Sequence, residues 1–195
     1  MVSAMTAQFP DKFVLDGEVF SIAGFRGDEK TLFNPTKHGL EPAPVCTACW
    51  RGYILTYSLS GDKLVLQDLE IGCSKDKYPA LNGKSPLLRG QTEERMVLPA
   101  KYKDLNIFVS YSGSFLIGKG FIRELYVHMG FHPAWKYETV IELTFKEGIL
   151  VDKKDLSDVM KQKREEMSKK PKEPAADSTP EELKKWIEKS FDQCY

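Results

Sequence analysis

The sequence predicts a mainly β chain: an antiparallel barrel or sandwich, a β-rich α+β fold, with a charged helical extension at its C-terminal end. Three observations carry this expectation. Between residues 12 and 152, short runs rich in β-branched and aromatic residues recur, each bounded by Gly, Asn, Asp or Pro. Apolar residues make up 42% of the 195 and aromatics 11%, enough to fill one core at this length. Beyond residue 152 the composition changes: the last 43 residues hold 11 basic and 10 acidic side chains, broken by prolines. The expected organisation is a β-rich domain over 1–152 and a helical tail over 153–195.

The first expected hairpin joins residues 13–15 to 18–22 through Asp16-Gly17, a dipeptide that tolerates positive φ. Residues 34–45 carry Pro35, Pro42 and Pro44, and proline removes ladder donors, so this stretch is a loop. The next pair is 52–59 with 63–71, joined at Ser60-Gly61-Asp62. Its second arm alternates imperfectly, with Leu64, Leu66, Asp68 and Glu70 against Val65, Gln67, Leu69 and Ile71. A long loop follows over 72–99, marked by Pro79, Asn82-Gly83, Pro86 and Pro99. Residues 106–111 and 114–117 read as two more strands around Ser112-Gly113. Residues 121–128 fit helix and strand patterns alike. The last pair is 139–145 with 149–152, turning at Lys146-Glu147-Gly148.

In the tail, Leu156, Val159, Met160, Lys163 and Met167 share one helical face. A proline-containing linker is expected over 169–180. A second helix then starts with Thr179 as cap, Pro180 at the first position and Glu182 completing a capping box. Leu183, Trp186, Ile187, Ser190 and Phe191 form its stripe. That stripe either docks on the domain or serves as a partner or homo-oligomer contact, since a permanently bare apolar face is unfavourable.

Charge narrows the functional classes. Lys plus Arg and Asp plus Glu both number 28, and the halves balance separately, 17 against 18 before residue 153. A nucleic-acid partner is therefore not expected, because backbone binding requires surplus cations. A membrane partner is not expected either. No run approaches the roughly 20 apolar residues of a span, and the N-terminal residues lack the basic and apolar regions of a secretory signal. Cytoplasmic residence and reduced cysteines follow as expectations. Cys194 stands next to last, not fourth from the end as prenylation requires. The phosphate-loop, dinucleotide and nucleophile-elbow patterns are absent, and no cofactor is expected. Lys75, Lys77, Lys84 and Arg89 form a weakly basic stretch of the long loop.

Two clusters could carry chemistry. Cys46-Thr47-Ala48-Cys49-Trp50 has the spacing of a dithiol redox pair or of half a zinc site. A redox pair needs a helix N-terminus to lower the thiol pKa, and the residues after Trp50 read as a strand. Zinc would need Cys73, His128 or His132 to complete a tetrahedron. Over five residues the segment resembles the papain-type cysteine protease signature, with Thr47 where that family has glycine; the resemblance implies Cys49 as nucleophile. The second cluster, residues 124–137, holds His128, His132, Phe131, Trp135 and Tyr137. Gly130 and Pro133 break a helix there, which disturbs simple i, i+4 metal geometry.

The reading that follows is a non-enzymatic binding or interaction protein on an antiparallel β scaffold. Its contact surface would comprise Trp50, Arg51 and Tyr53 with His128, His132 and Trp135, because Trp, Arg and Tyr dominate recognition surfaces. The partner is a small-molecule ligand or another protein. The alternative is a small metal-dependent or thiol-dependent enzyme using His128 and His132 with Cys46 and Cys49.

Overall fold

Three of the turn signals close three hairpins in a computed structural model that describes residues 6–75, 77–90, 96–167 and 178–191. Strand β1 (Lys12–Leu15) meets β2 (Glu18–Gly27) at Asp16-Gly17, both at positive φ, as a two-residue primed turn requires. Strand β3 (Tyr53–Ser60) meets β4 (Lys63–Ile71) at Gly61-Asp62. After β5 (Leu87–Leu88), β6 (Ala100–Tyr102), β7 (Ile107–Phe108) and β8 (Gly113–Phe121), strand β9 (Tyr137–Lys146) meets β10 (Ile149–Asp155) at Glu147-Gly148, again both at positive φ.

All ten strands belong to one sheet, in the order β10-β9-β8-β2-β1-β3-β4-β6-β5, with β7 also on β4. The path returns on itself: Ile149 of β10 pairs with Lys63 of β4, and Leu64 N donates to Gly148 O at 2.8 Å. Seven strands thereby surround a core that includes Phe13, Tyr57, Leu66, Phe115, Leu143 and Phe145.

The fold is mainly β, as the sequence indicates, with two departures in pairing. The sheet is mixed, because β1 and β3 run parallel, with Phe13 opposite Tyr57. Parallel neighbours need a long connection, and the segment between β2 and β3 provides one. Residues 106–111 and 114–117 also do not form a hairpin. Strand β7 pairs with β4, whereas β8 lies between β2 and β9. Gly113 explains the change: a Cβ there would sit 2.1 Å from Arg26 O, so the chain at 112–113 docks against β2 rather than turning back on itself. Residues 121–128 are neither a helix nor a continuous strand; β8 ends at Phe121 and a 3-10 turn occupies Arg123–Leu125.

The imperfect alternation of β4 has a specific cause. Thr56 pairs with Asp68 and Tyr57 with Leu66, so Gln67 is an extra residue in a bulge. The bulge shifts the phase of burial from Leu64 and Leu66 to Leu69 and Ile71, all fully buried.

Helix α1 (Ser157–Met167) follows β10 and packs outside the sheet. Met160 is buried with Ala134, Tyr137 and Val140, and Leu156 packs beside it. Val159 is more than half exposed. Arg164 fixes the helix by donating to the carbonyls of Trp135 and Tyr137, each at 2.8 Å. Helix α2 (Pro180–Phe191) has the capping box its sequence indicates: Thr179 N donates to Glu182 Oε2 at 2.9 Å, and Glu182 N to Thr179 Oγ1 at 3.3 Å. Most of the linker, Cys194, and the side chains of Met167, Trp186, Ile187, Ser190 and Phe191 lie outside the described residues. Among the described residues, no helix is long and apolar enough to cross a membrane.

Candidate functional site

Strand periodicity places Tyr53, Leu55 and Tyr57 of β3 on one face. Asp11, immediately before β1, reaches across to that strand, where Leu55 N donates to its Oδ1 at 2.6 Å. Arg51, just before β3, completes the arrangement. Its Nη1 donates to Asp11 Oδ2 at 2.8 Å, its Nη2 donates to Oδ1, and its Nε donates to Tyr53 O at 3.0 Å. The guanidinium carbon lies 4.9 Å from the Tyr53 ring centroid. Burial opposes the Arg51 charge, but the Asp11 carboxylate outweighs it and holds the group above its usual range.

These residues form one wall of a cavity of about 530 Å³. Ile22 and Phe25 of β2, with Phe115 of β8, supply apolar surface. The remaining wall comes from the crossover between β2 and β3, whose short turns are fixed by side-chain caps. Asp28 accepts from Lys30 N at 3.0 Å, and Asn34 from Thr36 N at 3.0 Å. The caps set Leu32 and Phe33 against the interior, and the exposed Glu29, Lys30, Asn34 and Lys37 around the mouth.

Tyr57 lies deepest in chemical terms. It is 1% exposed; the Phe33 backbone N–H turns toward its oxygen, and its O–H proton has no acceptor among the described residues. Burial, and then the nearby Asp11 charge, push its phenol well above the ordinary range; the Phe33 backbone and Arg51 act the other way without reversing this. The group stays protonated. A buried donor without an acceptor costs on the order of 1–3 kcal/mol, so this wall holds unspent donor capacity.

The sequence-derived surface separates into different surroundings. Arg51 and Tyr53 line the cavity. Trp50 does not; it is 55% exposed, and its backbone N–H donates to Gln8 Oε1 at 3.1 Å. His128 is exposed and shares a 3.0 Å hydrogen bond with the Tyr126 hydroxyl. His132 packs on Phe121, centroids 4.7 Å apart, and on Tyr126 at 5.2 Å. Both its ring nitrogens are buried without a partner among the described residues. Burial first, then the Lys136 charge, lowers its pKa to about 4. Trp135 flanks α1 and carries Lys136 Nζ 5.3 Å from its ring centroid. The N-terminal segment touches both neighbourhoods: Gln8 N donates to Gly130 O at 2.8 Å, and Phe9 N to Ala48 O at 2.8 Å.

The cysteine motif is a tight turn, not a helix N-terminus: Cys49 N donates to Cys46 O at 3.0 Å. Cys46 is exposed. Cys49 is buried with Ile54 and Leu98, and its thiol donates to Tyr53 O at 3.5 Å. Burial raises the Cys49 pKa, the opposite of what a thiolate nucleophile needs. Among the described residues, no three His, Cys, Asp or Glu side chains gather closely enough to hold a metal ion.

Asp11, Tyr57, Phe33 and Phe115 are the site residues that sequence reasoning missed. The available signal was Tyr53-x-Leu55-x-Tyr57, whose period of two places three large side chains on one strand face. No protein-family model matches the chain, and no curated protein or solved structure shows significant similarity to it.

Proposed function

We propose that the chain is a small-molecule-binding protein whose ligand occupies the cavity between β3, β2 and the 28–37 segment. The observation that carries this reading is the buried Tyr57 hydroxyl, whose proton has no acceptor among the described residues, on the wall of a cavity of about 530 Å³. Ligand sites are typically concave, mostly apolar, roughly 300–1,000 Å³, and furnished with a few placed polar groups. Leu32, Phe33, Leu55 and Phe115 would hold an apolar body, while Tyr57 and Arg51 would orient its polar end. A preorganised Arg51 supports binding without rearrangement, because Asp11 and Tyr53 already hold it.

Titration with the neutral fluorophore N-phenyl-1-naphthylamine tests the reading. The expected result is a saturable, blue-shifted emission with one site per chain. Emission that rises linearly without saturation, or does not rise, would refute a formed binding cavity.

A further inference from the structure

We infer that the ligand of this cavity is a small amphipathic carboxylate, its acid group set against Arg51 and Tyr57 and its apolar body along Phe33 and Phe115. This rests on the cavity-binding reading and specifies the ligand's chemistry.

The polar groups of the wall differ in what each has left to offer. A guanidinium has five N–H donors. Arg51 commits three: Nε to Tyr53 O, Nη1 to Asp11 Oδ2 and Nη2 to Asp11 Oδ1. One N–H on each terminal nitrogen is left without a partner among the described residues. Tyr57 adds an O–H donor that lacks an acceptor among the described residues. Acceptors on the same wall are already engaged. Asp11 Oδ1 receives both Arg51 and Leu55 N, and Oδ2 receives Arg51. Asn34 Oδ1 at the mouth accepts from Thr36 N and Thr36 Oγ1. The unspent capacity in the interior is therefore donor capacity, and a complementary ligand must present acceptors.

Charge selects among acceptors. Lys30, Lys37 and Arg51 face only two carboxylates on the lining, Asp11 and Glu29. Asp11 is neutralised by its pairing with Arg51, and Glu29 offsets one lysine at the exposed mouth. A carboxylate meets a net positive lining and two or three convergent donors, and charge-assisted hydrogen bonds are the stronger kind. An ammonium would find a carboxylate only at the exposed mouth, Glu29, and inside would meet engaged acceptors and free donors. An alcohol would fit, but would gain less.

The test compares three probes with one apolar body: 2-naphthoate, 2-naphthalenemethanol and 2-naphthylmethylamine, by calorimetry at neutral pH. The expected order is naphthoate tightest by about tenfold over the alcohol, with the amine weakest. Tyr57→Phe, which removes only the hydroxyl and should fold, is expected to weaken naphthoate about tenfold and narrow its lead over the alcohol. Arg51→Lys, verified as folded by its thermal transition, is expected to do the same. Equal binding of acid and alcohol would overturn the carboxylate inference and leave the cavity reading intact. So would naphthoate binding that neither substitution changes, or binding of N-phenyl-1-naphthylamine alone. Failure of every probe, that neutral fluorophore included, would overturn both.

Discussion

Asp11 and Arg51, 40 positions apart in the chain, form a two-pronged ion pair that ties the start of β1 to the start of β3. The pair joins the only parallel strand neighbours of the described sheet and stands on the wall of the cavity. One contact thus serves architecture and the proposed site together.

Breaking the pair on one side leaves a desolvated charge. Asp11→Asn keeps the size of the side chain but strands the Arg51 guanidinium. The expected loss is about 2–4 kcal/mol in urea unfolding, below the figure for a fully dry pair because Arg51 keeps some exposure. The double variant Asp11→Asn/Arg51→Met should lose less than the sum of the two single changes, since it removes the stranded charge.

His132 gives the protein an acid-sensitive stability. Its folded pKa of about 4 lies below the ordinary 6.5, so between these values the unfolded chain binds a proton that the folded chain does not. Its contribution is intact above pH 6.5 and falls as the pH drops toward 4. Between pH 7 and pH 5 the expected loss is about 2 kcal/mol. His132→Phe keeps the packing on Phe121 and Tyr126 and should flatten that slope. Denaturant titrations at the two pH values measure it; an unchanged slope in His132→Phe would locate the sensitivity elsewhere.

Gly52 holds the chain between Arg51 and β3. Its φ is +77°, and a Cβ there would lie 2.4 Å from Ala43 O. Both the left-handed conformation and the contact penalise a side chain. Gly52→Ala is expected to cost about 2–4 kcal/mol by thermal unfolding, and to weaken cavity binding by displacing Arg51. Substitution at Gly61, whose Cβ would meet nothing within 4 Å, should cost less.

Much of the strand plan was legible because its signals are local. Asp16-Gly17, Gly61-Asp62 and Glu147-Gly148 each impose positive φ at defined positions, and the flanking residues favour strands. The helix start at Thr179-Pro180-Glu182 is local too. The parallel β1–β3 pairing was not legible, because nothing in residues 12–15 encodes a neighbour 44 positions away. The bulge at Gln67 was visible only as a disturbed alternation. The same distinction governs the site. Arg51 and Tyr53 stand out by residue type, but Asp11 reads as a polar residue before a strand and Tyr57 as core. Their importance comes from long-range juxtaposition: an acid delivered to β3 by β1, and an O–H left without an acceptor once the sheet closes. Trp50, His128, His132 and Trp135 drew attention by composition, yet the cavity wall contains none of them.

The central claim, that ligand binding occurs inside this cavity, is tested most directly by amide chemical-shift mapping during a titration with 2-naphthoate. The account predicts saturable shifts concentrated at Phe33, Leu55, Tyr57 and Phe115, with Val159 and Lys163 on α1 unmoved. Shifts confined to Trp50, His128 and Trp135 on the outside, or no saturable shift at all, would contradict it.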